Sequence, residues 1–160
     1  MNKDNESCNM FSCILGFLID WPEKVANHFL WAGPLFARIV AGYVFMLSGW
    51  SKLHYLPQIT ENFVGWHIPA AHILAPFVSG VEFFGGVFLI LGLFTRIAGG
   101  MLSGVMVVAI VSAKLANVDS LETLLGFEET AYLAIFFWLA VSGAGKASLD
   151  HVLRRCCNAK

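Results

Sequence analysis

The sequence predicts an all-α fold: an integral membrane four-helix bundle with an N-terminal interfacial amphipathic segment. Three observations predict it. Of 160 residues, 58% are hydrophobic and only 13% charged, with a mean hydropathy of +0.70, whereas a water-soluble domain of this size needs far more polar residues to cover its surface. Four long stretches carry almost no charge. The basic residues collect on one side of those stretches, as they do in cytoplasmic loops. A net charge of −1 and a pI near 6.5 leave no basic footprint for nucleic acid.

The first segment, 1–32, holds an apolar run from Met10 to Ile19. Acidic residues precede the run and Asp20-Trp21-Pro22-Glu23-Lys24 follows it, where a cleaved signal would show small residues. An interfacial helix fits better, with Phe11, Ile14, Leu15, Phe17, Leu18 and Trp21 toward lipid. The membrane domain, 33–146, follows, with spans at Gly33 to Leu53, Ala71 to Phe94, Ile97 to Asn117 and Ser120 to Ala144. About 20 residues at about 1.5 Å each cross a hydrocarbon layer of about 30 Å, so each stretch suffices. Gly33-Pro34 opens the first span, and Pro76 sits either in the first turn of the second or at a kink within it. Thr95-Arg96 makes a tight turn, and Asp119 with Glu122 forms a capping box. A tail, 147–160, ends the chain. Trp50, Tyr55 and Trp66 suit the outer interface, and Trp21 and Trp31 the inner one.

Orientation follows from charge. Lys3, Lys24, Arg38, Arg96, Lys146, Arg154, Arg155 and Lys160 fall on the side of the termini, and Lys52 and Lys114 on the other. Both termini are therefore expected in the cytoplasm. Glu61, Asp119, Glu122, Glu128 and Glu129 lie outside, where carboxylates weigh little in the rule. A repeat is also visible. Phe36-Ala37-Arg38-Ile39 echoes Phe94-Thr95-Arg96-Ile97, and Ser51-Lys52-Leu53 echoes Ala113-Lys114-Leu115, as if two helical hairpins were related by an axis along the membrane normal.

Polar residues inside the spans need partners. Arg38, Gly42, Phe45, Gly49 and Lys52 recur at spacings of three and four, with Ser48 beside them, so one face of span one is small and charged. Span two offers Ser79, Glu82 and Gly86 at the same spacing. A charge at the bilayer centre costs at least about 2.5 kcal/mol unless it is met. Counted along the helices, Glu82 lies about 18 Å from the cytoplasmic edge, Lys52 about 25 Å and Arg38 about 5 Å. Lys52 therefore reaches Glu82, whereas Arg38 reaches the headgroups or the termini. The pair serves either helix register or a ligand. Gly99, Gly100, Ser103 and Gly104 form a small-residue pattern suited to helix packing.

Metal ligands have two candidate sets. His54, His67 and His72 share the outer loop or its edge, where neutral imidazoles suit copper, zinc or haem iron. Cys8, Cys13, Cys156 and Cys157 share the cytoplasmic side, and soft thiolates select copper(I) or zinc. Neither set has the strap spacing of a built zinc site, and a reducing cytoplasm keeps the thiols unpaired. The absence of cysteine from the outer face argues against a disulfide-forming quinone reductase. No phosphate loop, hydrolase triad or pair of deep carboxylates is present, so no catalytic residue is identified.

Several separate motifs in this order resemble the DoxX family of small bacterial inner-membrane proteins: Arg38, Ser48-Gly49-Trp50-Ser51-Lys52, Pro69, Glu82, Leu91-Gly92-Leu93-Phe94-Thr95-Arg96 and Gly143-Ala144-Gly145-Lys146-Ala147-Ser148-Leu149-Asp150. The resemblance runs from about Leu35 to Asp150. Ala144 departs from it, standing where proline is common. It implies a four-helix membrane protein that is a subunit or neighbour of redox systems. Relatives include the small subunit of a thiosulfate:quinone oxidoreductase, a membrane partner of superoxide dismutase and a sulfurtransferase, and companions of copper-binding peptides. The reading is a membrane subunit of a redox or metal- and oxidative-stress system. Its intramembrane pocket of Ser48, Lys52, Glu82 and Arg38 holds a lipid, a quinone-like ligand or a partner helix. The alternative is a structural scaffold or homo-oligomeric interaction protein with no ligand.

Overall fold

A computed structural model describes residues 18, 21–23, 27, 29–114, 120–145 and 147–158, the side chains at positions 154 and 158 excepted. The chain divides by contact density into 1–33 and 34–160. In the first unit Leu18 and Trp21 are helical and exposed. Phe11, Ile14, Leu15 and Phe17, expected on the interfacial helix, lie outside the described residues.

Every regular element of the second unit is a helix among the described residues. Helix α1 covers Ala32–His54, α2 Leu56–Gly65, α3 Ala71–Leu91 and α4 Thr95–Ala109, which continues as a π turn over Ile110–Lys114. Three more follow: α5 at Leu121–Gly126, α6 at Glu128–Ser142 and α7 at Leu149–Asn158. Helices α1, α3 and α4 with its π turn are long and apolar enough to cross a membrane. With α6 they make the four-helix bundle that the composition predicts.

Local chemistry explains the boundaries. Pro34 sits in the first turn of α1, where no N–H is needed. The chain leaves α3 through Gly92 at φ +66°, with the Gly92 N–H on the Leu89 carbonyl and the Leu93 N–H on that of Phe88. This six-residue closure favours glycine, and it ends the second helix at Leu91, before the expected Phe94. Pro76 lies inside α3 rather than in its first turn. Ser120 caps α5, accepting from the Thr123 N–H at 3.3 Å. Asp119 is outside the described residues. The fourth stretch is not one helix. Phe127 is extended (φ −72°, ψ 138°), separating α5 from α6, and Glu128 and Glu129 start α6 where acids favour a helix N-terminus.

Packing is tightest where glycines meet. A Cβ on Gly42 would stand 2.8 Å from the Gly86 carbonyl oxygen, and one on Gly49 would overlap the Phe83 backbone, so α1 and α3 touch main chain to main chain. Gly99 does the same for α4 against α6, where a Cβ would lie 2.9 Å from the Phe136 oxygen. Gly100 and Gly104, expected in the same packing pattern, have open space beside them. The core comprises Ala41, Phe45, Leu89, Ala98, Leu102, Met106, Phe136 and Leu139. Phe45 crosses Phe136 and Tyr132 edge to face, with centroids 4.7 and 5.1 Å apart. Phe36, Ile97, Phe137 and Val141 point outward, as residues that meet lipid do.

Candidate functional site

Ser48 and Lys52 lie one turn apart on α1, so their side chains share a face. The glycine contacts press that face against α3 at Glu82. The Lys52 ammonium bonds both carboxylate oxygens of Glu82, at 2.6 Å to Oε1 and 2.7 Å to Oε2. Ser48 Oγ donates to Oε2 at 3.1 Å. Glu82 is 2% exposed and the Lys52 side chain 35%. The carboxylate is thus buried and fully met, and the cation is the partner left accessible.

That accessible side opens into a cavity of about 680 Å³ between α1, α3, α4 and α6. Small-molecule sites occupy about 300 to 1,000 Å³. Its walls are apolar, with Val44, Phe77, Val81, Met101 and Val105 among them, and Phe63, Trp66 and Ile68 contribute from α2 and the turn after it. Ser112, Lys114, Glu129 and Tyr132 also line it. Lys114 Nζ lies 3.3 Å from Glu129 Oε1, with side chains 36% and 18% exposed, and 5.1 Å from the centre of the Phe127 ring. Glu129 Oε2 is buried and has no hydrogen-bond partner among the described residues.

Sequence reasoning brought Ser48, Lys52 and Glu82 together, and the structure does the same. It places Arg38 elsewhere. Fourteen residues before Lys52, about 21 Å along the helix, Arg38 is 1% exposed. Its Nε donates to the Pro34 carbonyl at 3.3 Å and Nη2 to that of Ala147 at 2.5 Å. Gly92 packs so close that a Cβ there would overlap the guanidinium. Arg38 does not line the cavity. It binds the segment after α6, the terminal encounter that its depth suggested.

Among the described residues the metal candidates are not gathered. His54 Nδ1 is 2.9 Å from the Trp50 carbonyl oxygen and its ring stands beside the Trp50 indole. His67 is exposed in a left-handed turn residue (φ +58°), and His72 is exposed in the first turn of α3. Cys156 and Cys157 are free and exposed on α7. Cys8 and Cys13 lie outside the described residues. Among the described residues no three His, Cys, Asp or Glu side chains form a metal-binding group.

Sequence reasoning missed the Lys114–Glu129 pair and Tyr132. A signal was present in the sequence, where Ala113-Lys114-Leu115 echoes Ser51-Lys52-Leu53.

Comparison with known proteins adds the following. The DoxX family model matches residues 33–115. The chain is 31% identical over 132 residues to an uncharacterised Haemophilus influenzae protein, covering 81% of this chain and 93% of that one. It is 28% identical over 120 residues to the Bacillus subtilis protein named "Putative oxidoreductase CatD", covering 74% and 84%. It is 24% identical over 123 residues to the Escherichia coli inner membrane protein YqjF, covering 77% and 93%. No solved structure gives a significant match.

Proposed function

This chain belongs to the DoxX family of membrane proteins, and on that premise we propose that it is a bacterial inner-membrane subunit, with both termini cytoplasmic, that holds a quinone-like ligand for a redox partner. The single observation that carries this reading is the apolar cavity of about 680 Å³ at whose wall the accessible Lys52 ammonium is anchored by buried Glu82. An ammonium has three donors, and two are engaged by the carboxylate. The third is available to a carbonyl oxygen of the ligand. Burial of Glu82 fixes the ammonium in place, so the donor is pre-oriented. A flat apolar ring with polar oxygens matches these walls better than a fully charged headgroup does, because each lysine of the cavity already carries its own counter-ion.

Two of the relatives bear on the setting. One carries an oxidoreductase name and another an inner-membrane name, which supports a redox membrane context; a redox or metal-handling protein as partner is part of the proposal. The chain's part in it is binding.

Mass spectrometry of lipid-soluble molecules extracted with the purified protein tests this reading. A quinone near one per chain in the wild type, lost in Lys52→Met, is expected. Phospholipid alone, in equal amount in both proteins, would replace the reading with that of a structural scaffold whose Lys52–Glu82 pair sets register.

A further inference from the structure

The second ion pair of the cavity is placed much as the first is. Lys52 ends the first helix of one hairpin and pairs with Glu82 of the next long helix, and Lys114 ends the first helix of the other hairpin and pairs with Glu129 of α6. Ser51-Lys52-Leu53 and Ala113-Lys114-Leu115 echo each other in the sequence. In both pairs the carboxylate is the more buried partner and the ammonium the more accessible one. Both ammonium groups line the same cavity.

The π turn bears directly on where Lys114 points. Ala109 lines the cavity, and in a regular α-helix the residue five positions on is rotated about 140° away. Hydrogen bonding from i to i+5 instead brings such residues onto one side. Ile110–Lys114 is wound this way, which carries Lys114 round to the cavity wall beside Ser112 and Ala113. The break at Phe127 then sets Glu129 in the first turn of α6, within reach of Lys114, while the Phe127 ring packs under the ammonium.

We propose that the cavity is a two-ended site in which Lys114, held by Glu129 and aimed by the π turn, supplies a second hydrogen-bond donor, so that the ligand is one with two separated acceptor oxygens, as the two carbonyls of a benzoquinone ring are. This rests on the quinone-like reading above and adds its second contact. A ligand with one polar end, such as a fatty alcohol, leaves the donors of the second ammonium that Glu129 does not take unused.

The test uses the full chain in phosphatidylethanolamine–phosphatidylglycerol nanodiscs and decylubiquinone labelled with carbon-13 at one carbonyl or the other. In the infrared difference spectrum, both carbonyl bands are expected at lower frequency than in lipid alone. Lys114→Met is expected to return one band to its lipid position and weaken binding about tenfold, the worth of one charge-assisted hydrogen bond. Lys52→Met should return the other. One shifted band in the wild type, responding to Lys52→Met alone, overturns the second contact and leaves the first intact. Absence of any binding overturns both. The wild-type spectrum decides even if Lys114→Met does not fold.

Discussion

Asp150 caps a helix that begins 55 residues before it, at Thr95. One carboxylate oxygen accepts from the Phe94 N–H at 2.8 Å and the other from the Thr95 N–H at 3.1 Å. The Asp150 N–H in turn donates to the Gly92 carbonyl at 3.0 Å. With the Ala147 carbonyl held by Arg38, the segment after α6 is fastened to the ends of α1, α3 and α4 together. The segment that ends in Asp150 is therefore a structural clasp at the end of the bundle remote from Lys52.

Removing that cap should be measurable. Asp150→Ala strips two N–H groups of their acceptor and is expected to lower stability by about 1 to 2 kcal/mol, the range for losing a helix cap. Asp150→Asn keeps an acceptor oxygen and should lose less. Thermal unfolding in detergent checks both. Equal losses in the two variants would mean that the charge matters more than the hydrogen bonds.

The Lys52–Glu82 pair invites a double-mutant cycle. Glu82→Gln leaves the ammonium with a neutral partner in low dielectric and should cost about 3 kcal/mol, the lower end for breaking a buried pair, because Lys52 is partly accessible. Lys52→Met combined with Glu82→Gln should recover much of that loss. A double variant no more stable than the weaker single one would show that the two do not depend on each other.

Glycines on the two sides of the bundle should behave oppositely. Gly49→Ala drives a Cβ into the Phe83 backbone, and Gly86→Ala sets one within 2.6 Å of the Gly42 carbonyl oxygen. Main chain cannot rotate away as a side-chain tip can, so each should destabilise by about 1 to 3 kcal/mol as α1 and α3 separate. Gly100→Ala meets nothing within 4 Å and should be neutral or stabilising by up to about 1 kcal/mol, since it removes a flexible residue from a helix. Unfolding midpoints for the three variants check the contrast.

The ion pair was legible because charges are so scarce in the spans that spacing and depth leave Lys52 one carboxylate to reach. The small-residue pattern at Gly99, Gly100 and Gly104 was only half legible. Glycine borders a cavity as readily as a neighbouring helix, and the sequence does not distinguish the two. Lys114 was obscured for another reason. A regular 100° step per residue turns it away from the cavity, and a π turn has no simple sequence signature. Asp150 stands 56 and 55 residues from its partners Phe94 and Thr95 in the sequence, a contact that local patterning does not carry. The break at Phe127 had a signal in Gly126 and the acids after it, outweighed by the long apolar run.

The last prediction concerns the C-terminal helix. In α7, Leu149, Val152, Leu153, Cys156 and Cys157 fall on one face by their spacing, with Asp150, His151 and Arg155 on the other. All three apolar side chains are exposed. The helix is tied at its start to the ends of α3 and α4 through Asp150, so it begins at headgroup depth. An amphipathic helix at that depth lies in the interface with its apolar face toward the acyl chains. Both thiols should then be shielded from water although the protein leaves them exposed. In right-side-out and inverted vesicles, a charged membrane-impermeant maleimide should label a serine-to-cysteine variant at Ser148 only from the cytoplasmic side, and Cys156 and Cys157 slowly from either. A lipid-soluble maleimide should label both cysteines rapidly. Rapid labelling of Cys156 and Cys157 by the charged reagent from the cytoplasmic side would place them in water and restore them as candidate ligands for a soft metal with Cys8 and Cys13. Labelling of position 148 from the outside would reverse the orientation of the chain and set all four thiols in an oxidising compartment.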